Sequence, residues 1–366
     1  MTTLMHASRQ WATRPADERF TSLPELYSVV KKGRDNSLQT VRSSRQIEFM
    51  PVEDDPEHKG LLVKAGREPA VLSHWSFGQA AQLAGAPAGY LRDLPAPLVA
   101  DCLNYGMKFN RDARDTGLLV RRDDEALTLA AATGPNYGRI WNEEIVKALM
   151  DKFGDGATGP WKVPGEFGKN VPITKDNTTI YGSDRDMFVF LADEENRVEV
   201  ANRRNGQSGS LARGFFVWNS EVGSQSIGAA FFLFDYACSN RIVWGAEGFK
   251  EIRIRHTASA PDRWLEEISP VLIEYSNAAA KPVEETIRRA QEEKVKGDLD
   301  NFLKNRFTVA QTTAIKAAHE REEGRPIETL WDVTTGVTAY AKSIRNQDDR
   351  VALERKGGAI LDLVAA

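Results

Sequence analysis

The chain has 366 residues, 41% hydrophobic and 27% charged, with 48 Lys and Arg against 52 Asp and Glu for a formal charge of −4. This composition supports a packed core and excludes a wholly disordered chain. The acidic balance excludes a broad basic surface of the nucleic-acid-coating kind, so any phosphate-binding site has to be a local patch. The longest apolar run, Ile227 to Ala237, is interrupted by Asp235 and falls short of the roughly 18 residues of a membrane-spanning helix. Residues 1–14 lack the apolar middle of a secretory signal, which points to a cytoplasmic protein with no membrane partner. Cys102 and Cys238 cannot make a disulfide framework and have no Cys or His at metal-ligand spacing. They are expected to be buried free thiols, and no metal or cofactor is expected.

In chain order, Leu23 to Lys32 reads as a short helix, Gly33 to Ser44 as a polar stretch and Ile47 to Val52 as a strand. Ser76 to Leu83, with Ser76 as N-cap, and Leu98 to Phe109 read as helices, so residues 1–115 form a mixed, largely helical segment. Leu118 to Val120 and Ala126 to Ala131 flank Asp123-Asp124-Glu125, a hairpin pattern. Trp141 to Phe153 is helical in period, with Asn142 as its cap and Glu143 and Glu144 in its first turn. Five runs then read as strands: 186–192, 197–202, 212–219, 226–236 and 250–255. Residues 116–260 thus form a central antiparallel sheet. Charged runs over 262–279, 282–296, 298–322, 327–345 and 348–364 place helices in 261–366, in one continuous domain with the sheet. The order helices, sheet, helices marks an α+β fold.

The densest motifs are Gly214 to Gly223 (GFFVWNSEVG), Cys238-Ser239-Asn240 and Arg253-Ile254-Arg255-His256. With Phe77 to Leu83, Pro87 to Pro95 and Thr329 to Ala341, they resemble the phage/plasmid-like protein family of domain of unknown function 932. Two steps depart from that pattern: Arg241 stands where the family has Gly after Asn240, and Thr335 stands where it has Asn. The resemblance implies Asn219, Ser220, Glu221, Gly223, Asn240 and His256 as family-motif residues. It also implies a gene carried by mobile elements, among genes of replication, recombination or defence evasion.

Between Glu195 and His256 eight Lys and Arg stand against six Asp and Glu, a local balance of +2. Arg203, Arg204, Arg213, Arg253 and Arg255, interleaved with Trp218, are the pattern that single-stranded DNA uses, phosphates on guanidinium groups and bases on rings. The expectation is a non-enzymatic nucleic-acid-binding protein acting in DNA recombination or replication of a mobile element, of the single-strand-annealing kind, free of sequence readout and able to form homo-oligomers. The plainer reading of the same residues is a polar hairpin tip above a core strand. Asn219 to Gly223 reads either as a turn or as a ligand-positioning segment, and His256 as a structural histidine. The alternative function is a protein-interaction or inhibitor role against a host protein. The third is a metal-dependent nuclease using Asp184, Asp186 and Glu221. No P-loop, dinucleotide fingerprint, HExxH or nucleophile elbow occurs.

Overall fold

The computed structural model describes residues 14–365 except 58, 110–114, 123–125, 165–171, 202–208, 236–239, 245–250 and 279–280. The chain builds β1 (Arg19–Phe20), α1 (Leu23–Asp35), β2 (Ser37–Ser43), β3 (Glu48–Pro51), β4 (Leu61–Lys64) and β5 (Ala70–Leu72). Next come α2 (His74–Ala84), α3 (Ala88–Asp93), α4 (Ala96–Phe109) and the hairpin β6 (Asp115–Arg122) and β7 (Leu127–Thr133). Strands β2 to β7 form one six-stranded sheet, ordered β2-β6-β7-β5-β4-β3. Only β5 and β7 run parallel in it.

This sheet draws β2 to β5 out of the mixed segment expected over residues 1–115, in which α1 to α4 still hold more residues than the strands. β3 falls within the strand expected at Ile47 to Val52, but β4 and β5 are four and three residues long, too short to display a two-residue period. They become strands by pairing back to the expected β6–β7 hairpin. The division at residue 115 also falls inside the sheet, because β6 pairs along its length with β2. Ser73, not Ser76, caps α2, accepting the Ser76 N–H.

The second sheet follows α5 (Asn142–Phe153), whose N-cap is Trp141 and whose first residue is Asn142. Its strands are β8 (Trp161–Lys162), β9 (Ile180–Gly182), β10 (Met187–Val200), β11 (Gly209–Asn219), β12 (Ile227–Asp235), β13 (Asn240–Val243) and β14 (Ile252–Ile254). They are ordered β1-β9-β10-β11-β12-β13, with β8 on β10 and β14 on β12, and every pair is antiparallel. The two runs expected at 186–192 and 197–202 are one strand with a bulge. From Ala192 to Arg197 is five steps, against two from Gly214 to Ala212, so three residues are extra. An odd insertion reverses which side chains face which way. Val189 and Leu191 point to one core and, beyond the bulge, Val198 and Val200 point to another.

The C-terminal part continues through α6 (Ala260–Arg263), a π-helical turn (Trp264–Ile268), α7 (Ser269–Asn277), α8 (Lys281–Glu292), α9 (Leu299–Lys304), α10 (Val309–Glu323), α11 (Leu330–Ala341), α12 (Gln347–Gly358) and α13 (Asp362–Ala365). The single run expected over 298–322 is two helices, because Thr308 and Gln311 form a capping box that starts α10. One face of the large sheet packs on α1, α5 and α7 through Val189, Phe215, Val217 and Phe231. The other carries Phe190, Phe216, Trp218 and Phe232, with Val351 of α12 against them. Among the described residues no helix is long and apolar enough to cross a membrane.

Candidate functional site

The segment Asn219–Gly223 leaves β11 and enters the space between the two sheets, and the side chains of Asn219, Ser220 and Glu221 are all hydrogen-bonded. Asn219 Nδ2 donates to Ile140 O and to Asn142 Oδ1, both at 2.8 Å. Ser220 Oγ donates to Arg185 O at 2.7 Å and accepts from Ser224 N at 2.9 Å. Glu221 is buried. One of its oxygens accepts the Asn142 N–H at 2.7 Å, at the positive end of α5, and the other pairs with Arg121 of β6. Arg139 donates to Glu221 O, and the Val222 carbonyl accepts from Trp75 at 3.0 Å and Gln79 at 2.8 Å, both on α2. Gly223 has φ +85°, a conformation that glycine adopts without strain.

His256 belongs to the same joint. Its ring stacks on Tyr137 with centroids 4.8 Å apart, and Nδ1 lies 3.0 Å from Gly138 O. Burial, reinforced by the charge of Arg139, lowers its pKa and favours the neutral ring, which donates through Nδ1. Tyr137 in turn donates to Ser220 O at 2.7 Å. Four family-motif positions and His256 therefore converge, together with Tyr137, Arg139 and Asn142, which sequence reasoning missed as partners. They form a buried hydrogen-bonded network that joins the two sheets, in which Asn219 Oδ1 and His256 Nε2 are left without a partner. Asn240 lies on β13 opposite Asp235.

The expected arginine channel does not assemble among the described residues. Arg213 is buried on the α7 face of the large sheet, over the Tyr275 ring, and donates to Ala278 O. Arg253 lies on the opposite face, 5.3 Å from the Trp218 ring centroid and paired with Glu251. Arg255 is exposed just beyond β14. Arg203 and Arg204 fall outside the described residues. Trp218 is itself buried, so its ring offers no stacking platform. Arg241 and Arg355 lie over Phe190 and Phe216 on this same face, at 4.3 and 5.6 Å. Arg241 and Arg350 share Glu354 Oε1 at 2.9 Å each. Cys102 is exposed, against the expectation of burial.

Two of the three carboxylates of the nuclease reading are also engaged, while Asp184 is exposed. Asp186 is buried between Arg14 at 2.7 Å and Arg185 at 3.0 Å, and Glu221 is held as described. No group of three or more His, Cys, Asp or Glu suited to a metal ion occurs among the described residues.

Open surface lies on the six-stranded sheet instead. Helices α2 and α4 cover the face bearing Phe49, Leu72 and Ala132. On the same face, towards β2, a trough of about 570 Å3 is floored by Leu38, Val63, Leu118, Val120, Leu127 and Leu129. Arg42, Arg67 and Arg122 line it as well, and Arg122 meets Glu68 at 2.9 Å. A hollow of about 320 Å3 adjoins it through Arg42, Ala65 and Gly66, adding Lys64 and Glu48. β2 ends the sheet, and Leu38 on it is 66% exposed.

The family described as a domain of unknown function (DUF932) matches residues 175–360, just over half of the chain. The chain belongs to that family. No curated protein and no solved structure matches. The DUF932 match spans the large sheet from β9 onward and all of the C-terminal helices through α12, and it includes Asn219, Ser220, Glu221, Gly223 and His256. The trough lies outside it.

Proposed function

We propose that this protein is a protein-interaction module, whose six-stranded sheet takes up an extended segment of a partner along β2 and the trough. The observation that carries the reading is a terminal strand with an open edge, on which Leu38 is 66% exposed, beside a trough whose floor is apolar. A strand added to β2 would gain main-chain hydrogen bonds, and its alternate side chains would enter the trough. The rim sets the segment's chemistry. Arg42, Lys64, Arg67 and Arg122 outnumber Asp35, Glu48 and Glu68 around the two hollows, so apolar residues alternating with Asp or Glu fit best. The mobile-element setting that the sequence resemblance implies would make a host protein the natural source of such a segment. Single-stranded DNA is supported less, because Arg213 and Arg253 stand on opposite faces of the large sheet and Trp218 is buried.

Selection of displayed random peptides on the full chain tests the reading. Enriched sequences should alternate apolar and acidic residues, and their binding should fall at least tenfold in Leu38→Glu and in Arg42→Glu. Absence of enrichment, or binding indifferent to both substitutions, would overturn it. Fluorescence polarisation with labelled single strands at low salt gives the competing outcome: tight, salt-sensitive binding would restore the DNA reading.

A further inference from the structure

Helix α4 has two apolar faces. Val99, Ala100, Leu103 and Met107 are buried against the six-stranded sheet. On the other side Leu98, Tyr105 and Phe109 are 51%, 68% and 57% exposed, and Cys102 is exposed among them. At about 100° per residue, Leu98, Cys102, Tyr105 and Phe109 fall within an arc of about 60°, a stripe roughly 16 Å long. The rings of Tyr105 and Phe109 touch, with centroids 4.8 Å apart. Exposed Tyr90 on α3 adds to the apolar surface of this region.

We infer that this stripe is a self-association surface, on which α4 of one copy packs antiparallel against α4 of a second copy. The pattern is its own complement. A two-fold axis passing between Leu103 and Asn104 sets Leu98 opposite the second copy's Phe109, and Cys102 opposite its Tyr105. Charge follows the same symmetry. Asp101 and Lys108 are both exposed and project on one flank of the stripe, within about 20° of each other around the helix. In an antiparallel two-fold pair each flank meets its own equivalent, so Asp101 of each copy faces Lys108 of the other. In a parallel two-fold pair that flank would meet the opposite one, and Asp101 and Lys108 would lose these partners. Antiparallel packing also opposes the two helix dipoles.

The stripe is small. Large aromatic side chains bury about 150–250 Å2 when fully covered, and these are only partly exposed, so the contact falls below the roughly 1,000 Å2 of a stable interface. The dimer is therefore weak and dependent on concentration. It uses neither β2 nor the trough, so it stands or falls apart from the peptide-binding reading.

Sedimentation of the full chain over a concentration series tests it. The weight-average mass should rise from 40.7 kDa towards twice that value as concentration increases to about 500 μM. Tyr105→Glu should hold the protein monomeric throughout. Asp101→Lys and Lys108→Asp should each weaken association about tenfold, and the two combined should restore it. These positions are exposed, so unchanged circular dichroism melts would certify folding. A short bis-maleimide should capture a two-chain species through Cys102, lost in Cys102→Ser. A monomer at every concentration, a dimer untouched by Tyr105→Glu, or a charge-reversed pair that fails to restore association would overturn the inference.

Discussion

The two sheets handle apolar surface in opposite ways. In the eight-stranded sheet both faces are covered, one by α1, α5 and α7 and the other by an aromatic layer with α12 against it. In the six-stranded sheet the helices cover part of one face, and a trough and an open terminal strand remain. Of the ten exposed large apolar side chains among the described residues, Val29, Leu38, Val41, Tyr90, Leu98, Tyr105 and Phe109 precede the DUF932 match, while Leu265, Val309 and Leu363 lie in or after it. The half with the most conspicuous motifs spends them on internal joints. The half with the plainer sequence keeps the surface available to partners.

Several substitutions would sharpen or break this contrast. The largest effect is expected at the joint between the sheets. Glu221→Ala leaves the Arg121 guanidinium and the first N–H of α5 without their acceptor, and should cost about 3–5 kcal/mol in denaturant unfolding. A loss under about 1 kcal/mol would mean that the segment is not the joint described here. Next comes the covered face of the large sheet. A side chain at Gly228 would overlap the Trp218 ring and the Ile252 carbonyl, so Gly228→Ala should cost about 1–3 kcal/mol through overpacking. Thr308→Ala removes the capping box of α10 and should cost about 1 kcal/mol. In the six-stranded sheet, by contrast, Leu38→Glu should change stability by no more than about 0.5 kcal/mol. A loss of several kcal/mol there would show that the trough belongs to the core.

A further contrast lies in the pH profile. His74 has its pKa lowered to about 4 by burial, aided by the nearby charge of Arg92. The unfolded chain takes up that proton near the ordinary value of 6.5, whereas the folded chain does not until about pH 4. Stability from this group is therefore complete above pH 6.5 and is lost as the pH falls towards 4. Glu18, raised to about 7 chiefly by burial, slopes the other way between pH 4.5 and 7. The informative measurement is thus the difference between the wild type and His74→Gln, which should have the flatter thermal-melt profile between pH 6.5 and 4. Identical slopes would refute the buried neutral state of His74.

Much of the large sheet was legible from residues alone. Runs such as Phe231 to Phe234 and Phe215 to Trp218 are long, aromatic and bounded by turn-formers, and the family resemblance rested on them. The hairpin β6–β7 was legible for the same reason. Even the failure of the arginine channel was partly written in the two-residue period of β11: Arg213 and Trp218 are five positions apart and so point to opposite faces. Other features were not legible. Strands β4 and β5 are too brief to announce themselves. The partners of Asn219 and Glu221 lie about 80 to 100 residues earlier in the chain, and Tyr137 to Asn142 gave only a concentration of aromatic and polar residues as a sign. Cys102 was expected in the core as a lone free thiol, and only the packing of α4 shows that it faces outward.

Local chemistry settled the elements. Caps such as Thr308, turns such as Gly223 and the alternation of β11 act through neighbouring residues, so sequence by itself determined most helices, the central strands and the α+β class. Tertiary structure decided which polar groups are satisfied within the molecule and which apolar surfaces stay bare. Burial and hydrogen-bond pairing depend on segments far apart in the chain meeting in space, and no local period records that.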